Sequence, residues 1–135
     1  MIHLYIETLP IPKGRPRFTR SGHSYTPKRT KDYEKFIKTV AQDNVSKGDC
    51  FTTPVQVNAN FYFQVPKSYN QSKRDDCLNG VVLPKADLDN LLKSLLDALN
   101  GICFTDDTLV QKIRASKRYA DKNFIEVEIK KCPAF

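Results

Sequence analysis

The sequence predicts an α+β fold: a single small domain spanning residues 1–135, in which a mixed β-sheet packs against helices. Three observations carry this reading. Residues 53–65 (TPVQVNANFYFQV) and 123–131 alternate apolar and polar side chains, the period of a half-buried strand. Residues 89–100 (DNLLKSLLDALN) repeat leucine at helical spacing. The segments read βαβααββ, the pattern of a mixed α/β or α+β single domain.

The elements follow in order. Ile2, Leu4, Ile6 and Thr8 alternate with His3, Tyr5 and Glu7, so residues 2–9 suit an edge or half-exposed strand. Residues 10–31 hold four prolines and two glycines and read as a loop or irregular hairpin. Thr30 is a plausible N-cap for a helix over 31–46, with Tyr33, Phe36, Ile37 and Val40 on its buried face. The strand at 53–65 is the clearest in the chain. Ser68 can cap a short helix that Gly80 ends, and the helix at 89–100 buries Leu91, Leu92, Leu95 and Leu99 before Gly101 stops it. Strands near 108–119 and 123–131 complete the pattern.

Composition bounds the function. Lysine and arginine number 22 against 15 acids, a net charge of +7, which points to a polyanionic partner. No apolar run is long enough to span a bilayer, and MIHLYIETLP lacks the basic start of a signal peptide, so a cytoplasmic protein with no membrane partner is expected. Cys50, Cys77, Cys103 and Cys132 lie far apart, and His3 and His23 are badly placed to join them. Reduced, mostly buried thiols are expected rather than a zinc site.

The charge is segregated. From Glu7 to Asp32 no acid intervenes among seven bases: Lys13, Arg15, Arg17, Arg20, Lys28, Arg29 and Lys31. With Phe18 and Tyr25 between them, these suit phosphate contact with some stacking, although a basic solvated loop would look the same. Lys112, Arg114, Lys117 and Arg118 form a second group on a predicted strand, where 112, 114 and 118 share a face. Against these stands KADLDNLLKSLLDALNGICFTDD, which carries Asp87, Asp89, Asp97, Asp106 and Asp107.

Pro84 favours an extended entry to the helix, so Asp87 and Asp89 can address one point at its N-terminus. A chain return through Gly101 would have to bring Asp106 and Asp107 back along a helix about 18 Å long. Carboxylates without His or Cys partners suit Mg²⁺, with Mn²⁺ as a substitute, and Lys93 one turn on could hold a scissile phosphate or orient the attacking water. The plainer readings are an N-cap at Asp89, a surface pair of Asp89 with Lys93, and turn residues at 106–107. The residues alone therefore reach a metal-dependent nuclease and no further.

The whole pattern resembles the RusA family of Holliday junction resolvases. The likeness rests on PIPKGRPRFTR with YTPKRTKDYE, on PKSYNQSKR, on KADLDNLLKSLLDALNG with the following DD pair, and on VQKIRASKRY. It implies a homodimeric, Mg²⁺-dependent endonuclease that nicks four-way DNA junctions symmetrically in recombination and repair, often phage- or prophage-borne in bacteria, with no small-molecule cofactor. By the same likeness Asp87, Asp89 and Asp107 hold the metal with Asp106 beside them, and Lys93 is the catalytic lysine. The bases Lys13, Arg15, Arg17, Arg20, Lys28, Arg29, Lys73, Arg74, Arg114, Lys117 and Arg118 are assigned to DNA. One departure is visible: where some members carry a base immediately before the first aspartate, this chain has Ala86. A non-catalytic junction-binding protein and a nuclease of other branched or single-stranded nucleic acids are the competing readings.

Overall fold

Period-two burial builds the sheet. In β1 (Ile2–Ile6) the side chains of Ile2, Leu4 and Ile6 are buried and those between are exposed. The same alternation sends Val57, Ala59 and Phe61 of β4 (Val55–Gln64) and Ile125, Val127 and Ile129 of β6 (Phe124–Lys131) to one face. The structure is a computed structural model that describes residues 1–14, 17–25 and 27–133, with backbone only at 17, 18 and 25. Within 10–31 the backbone makes a short hairpin, β2 (Arg17–Phe18) against β3 (Ser24–Tyr25).

The main sheet has the order β1-β6-β4-β5, where β5 is Val110–Ala120. β6 is antiparallel to both β1 and β4, whereas β4 and β5 run parallel. A parallel pair needs a long crossover, supplied here by α2 (Gln71–Leu78) and α3 (Leu88–Leu99). β5 and β6 are consecutive yet do not pair, because β4 lies between them. Residues 121–123 cross the end of β4, where Asn123 Oδ1 accepts the Gln64 amide at 2.7 Å.

The apolar sheet face, α1 (Lys28–Asn44) and α3 close one core around Phe61, Leu91, Leu95 and Phe104. Phe61→Ala is expected to lower stability by about 3–5 kcal/mol, seen as a fall in the urea midpoint, since the cavity opens in the central strand.

Several local expectations shift. α1 begins after Pro27, whose fixed φ suits a helix start, so Thr30 lies buried inside the helix instead of capping it. The buried stripe of α1 is Thr30, Tyr33, Ile37 and Ala41, and Phe36 is 45% exposed. Asn70, not Ser68, caps α2 by accepting the Lys73 amide at 2.9 Å. Leu92 is half-buried, and Ser94 and Ala98 complete the stripe of α3. Gly80 and Gly101 end α2 and α3 at φ of +79° and +82°, a backbone that favours glycine. The four cysteines are free thiols; Cys77 and Cys103 are buried, and burial pushes Cys103 up to about 12. Among the described residues no helix is long and apolar enough to cross a membrane.

Candidate functional site

The mouth of α3 is built by its approach. Pro84 is buried, and the chain bends at Lys85 and Ala86 instead of staying extended as Pro84 led one to expect, before Asp87 takes the N-cap position at φ −71°, ψ 128°. The Asp87 carbonyl accepts the Leu91 amide at 3.0 Å, but its carboxylate caps nothing. An aspartate that forgoes a cap leaves about 1 kcal/mol of helix stabilisation unused and both oxygens open. Asp89 lies in the first turn, and both carboxylates are exposed where a helix best tolerates negative charge. Asp89 makes no ion pair with Lys93 among the described residues, so the plain surface-pair reading does not describe this site. Lys93 is exposed one turn on.

Lys117 holds this approach in place. Its Nζ donates to the carbonyls of Pro84 at 2.9 Å and Ala86 at 2.8 Å, the residues that lead into Asp87. It therefore lies on the helix side of the sheet, opposite Lys112, Arg114 and Arg118, and is tied to backbone rather than presented to phosphate. Its odd position among even-numbered bases was the sequence signal for this separation.

The DD pair stands at the other end of α3. The chain turns at Gly101, whose amide donates to the Phe104 carbonyl at 2.8 Å, and Asp106 emerges beside Asn100. The return that the sequence argument required does not occur within one chain: α3 alone separates the two groups by about 18 Å. Among the described residues no three His, Cys, Asp or Glu side chains are grouped to hold a metal ion. Asp106 is engaged locally. Its carboxylate accepts the Thr108 hydroxyl at 2.7 Å and the Thr108 amide at 3.4 Å, and these bonds lower its pKa. Asp107 opens the 3₁₀ turn Asp107–Leu109 and is exposed.

The bases assigned to DNA divide into groups. Lys13 is a structural residue: its ammonium meets Glu34 at 2.7 Å and Asp97 at 3.1 Å, and its amide donates to Asn90 of α3 at 2.9 Å. Burial pulls its pKa down, but the bonds to the two carboxylates outweigh that and raise it. Lys13 is thus half-buried and paired with two carboxylates, whereas the sequence alone assigns it to DNA. Next to it Ser94 Oγ donates to the Ile11 carbonyl at 2.7 Å, so the loop entering the hairpin is stitched along α3. Arg15 lies outside the described residues, as does the Arg17 side chain. Arg20, Lys28 and Arg29 are exposed on the hairpin and the start of α1. Lys73 stands 4.0 Å over the Tyr69 ring on α2, with half-buried Arg74 beside it.

The site thus consists of an exposed carboxylate pair at a helix mouth, with Lys93 one turn on, on a small α+β domain. The family model described as Endodeoxyribonuclease RusA matches residues 7–130. The chain belongs to that family of endodeoxyribonucleases, known for Holliday junction resolution. It is also similar to the uncharacterized protein YqaN of Bacillus subtilis (strain 168), at 32% identity over 132 residues covering 93% of this chain and 92% of that protein.

Proposed function

We propose that the protein is a Mg²⁺-dependent endonuclease that resolves four-way DNA junctions by paired nicks. The observation that carries this reading is the uncommitted carboxylate pair Asp87 and Asp89 at the mouth of α3 in a basic chain of the RusA family. Mg²⁺ is commonly held by one or two carboxylates together with substrate phosphate and water, so this pair fits that ion, with Mn²⁺ as a substitute. Bound there, the metal would polarise the phosphodiester and activate water. Lys93 supplies an ammonium for a phosphate oxygen, and Lys117 fixes the backbone from which Asp87 projects. Arg20, Lys28, Arg29, Lys73 and Arg74 offer charge to the arms.

Asp107 is the better third ligand, since Asp106 is occupied by Thr108. Because α3 separates Asp107 from Asp87, its participation requires a second copy of the chain. A homodimer meets that need and matches the two-fold symmetry of the junction. The half-buried row Leu88, Leu92 and Leu96, with Ile113 43% exposed, offers apolar surface for such a contact.

The test is a gel with a synthetic four-way junction, each strand end-labelled in turn. Symmetric nicks only with Mg²⁺ or Mn²⁺ are expected. A junction that is shifted but uncut, across varied core sequences, would leave a binding protein and overturn the assignment.

A further inference from the structure

The sheet face turned away from the helices has a composition that the site at α3 does not explain. Tyr62 of β4 stacks on Phe124 of β6, with ring centroids 4.1 Å apart and planes 10° from parallel. Phe124 in turn meets Tyr5 of β1 at 5.2 Å, so three strands build one aromatic ladder. Tyr5 is 43% exposed. Lys122 covers the β1 end of this ladder, 5.4 Å from the Tyr5 ring and 5.7 Å from Phe124. The other neighbour of Tyr62 is Arg118, its register partner on β5, and Arg114 and Lys112 follow along the same edge. Among the described residues none of these three bases has a carboxylate partner. The acids of this face are Glu126 and Glu128 on β6 and Glu7 beyond β1, which accepts from the Tyr5 hydroxyl at 3.4 Å. Arg118, Arg114 and Lys112 thus line the β5 edge, next to the last ring of the ladder, while Lys130 stands on β6 and Lys122 at the β1 end is paired with Glu7 at 3.6 Å.

We propose that this outer face is a second DNA site that takes a single-stranded segment: a base stacks on Tyr62, extending the ladder, and its phosphates follow Arg118, Arg114 and Lys112. An open sheet with aromatic rings can receive unstacked bases, whereas a duplex keeps its bases stacked on one another and offers only phosphate. The face is separated from Asp87 and Asp89 by the thickness of the sheet, so it grips DNA without cutting it. The identity of the ligand as DNA rests on the nuclease reading; the test below does not require cutting.

The full chain is titrated without metal into a fluorescently labelled 20-nucleotide oligo-dT, followed by anisotropy, alongside a duplex of equal length. Tyr62→Ala is expected to weaken single-strand binding about tenfold, the scale of one base–aromatic stack, while Tyr62→Phe retains it. The chain has no tryptophan and six tyrosines, so its tyrosine emission reports stacking. Quenching by oligo-dT should be smaller in Tyr62→Phe than in the parent, at similar affinity. That pair of results holds even if Tyr62→Ala folds poorly. Asp89→Asn should bind oligo-dT normally, which separates this face from the cutting site. If junction cutting fails but Tyr62 still controls oligo-dT binding, the face stands and the nuclease reading falls. Equal quenching in the parent and Tyr62→Phe, no quenching at all, or the same dependence on Tyr62 for duplex would overturn the proposal.

Discussion

Replacing Asp89 with asparagine is expected to reduce junction cutting by about three orders of magnitude while leaving junction binding intact. The substitution keeps the side chain's shape and removes one negative charge from an exposed position in the first turn of α3. Losing an interaction that contributes ~4 kcal/mol to the transition state gives a loss of that size. The fold is not at stake, because Asp89 makes no ion pair among the described residues and is not a cap. Single-turnover cutting at several Mg²⁺ concentrations and a gel shift without metal make the comparison. A variant that cuts at the parent rate would remove Asp89 from the site.

Lys117→Met is expected to lower cutting 10- to 100-fold, chiefly by raising the Mg²⁺ concentration needed, as loss of a group that orients metal ligands does. Methionine keeps most of the buried stem but releases the carbonyls of Pro84 and Ala86. The segment that aims Asp87 is then held by fewer bonds, at a cost in stability of about 1–3 kcal/mol. Lys117→Arg restores a cation and part of the activity. A phosphate contact would behave differently: its loss weakens DNA binding and lowers the salt slope by about one. Unchanged Mg²⁺ dependence with weaker, less salt-sensitive binding would return Lys117 to the DNA-contacting group.

Much of the fold was legible because burial has a period. The alternation in 53–65 and 123–131 and the leucine spacing in 89–100 each arise from one element facing one core, and the observed boundaries differ by a residue or two. What was not legible depends on which distant segments meet. Nothing in Asp121, Lys122 and Asn123 announces that they pass over β4 instead of closing a hairpin. The position of the DD pair depends on Gly101 and Phe104 turning the chain beside the end of α3, so its distance from Asp87 had to be seen. Lys13 read as one base among seven because its partners, Glu34 and Asp97, lie 21 and 84 residues away in the chain. The aromatic ladder was hidden for the same reason: Tyr5, Tyr62 and Phe124 are neighbours only across strands. The carboxylate pair was legible because both its members and the helix that carries them are contiguous.

The insertion of β6 between β1 and β4 sets the order in which the domain can be made. β1 emerges from a ribosome before β2, β3, β4 and β5, yet its partner β6 follows all of them. Until residues 124–131 are available, β1 and β4 each present an unsatisfied strand edge, and α3 has only part of the surface it covers. The long loops closed by β1 with β6 and by β4 with β6 place folding among slower, non-local topologies. Any lesion that frees the last strand therefore parts β1 from the sheet as well and exposes two edges to other chains.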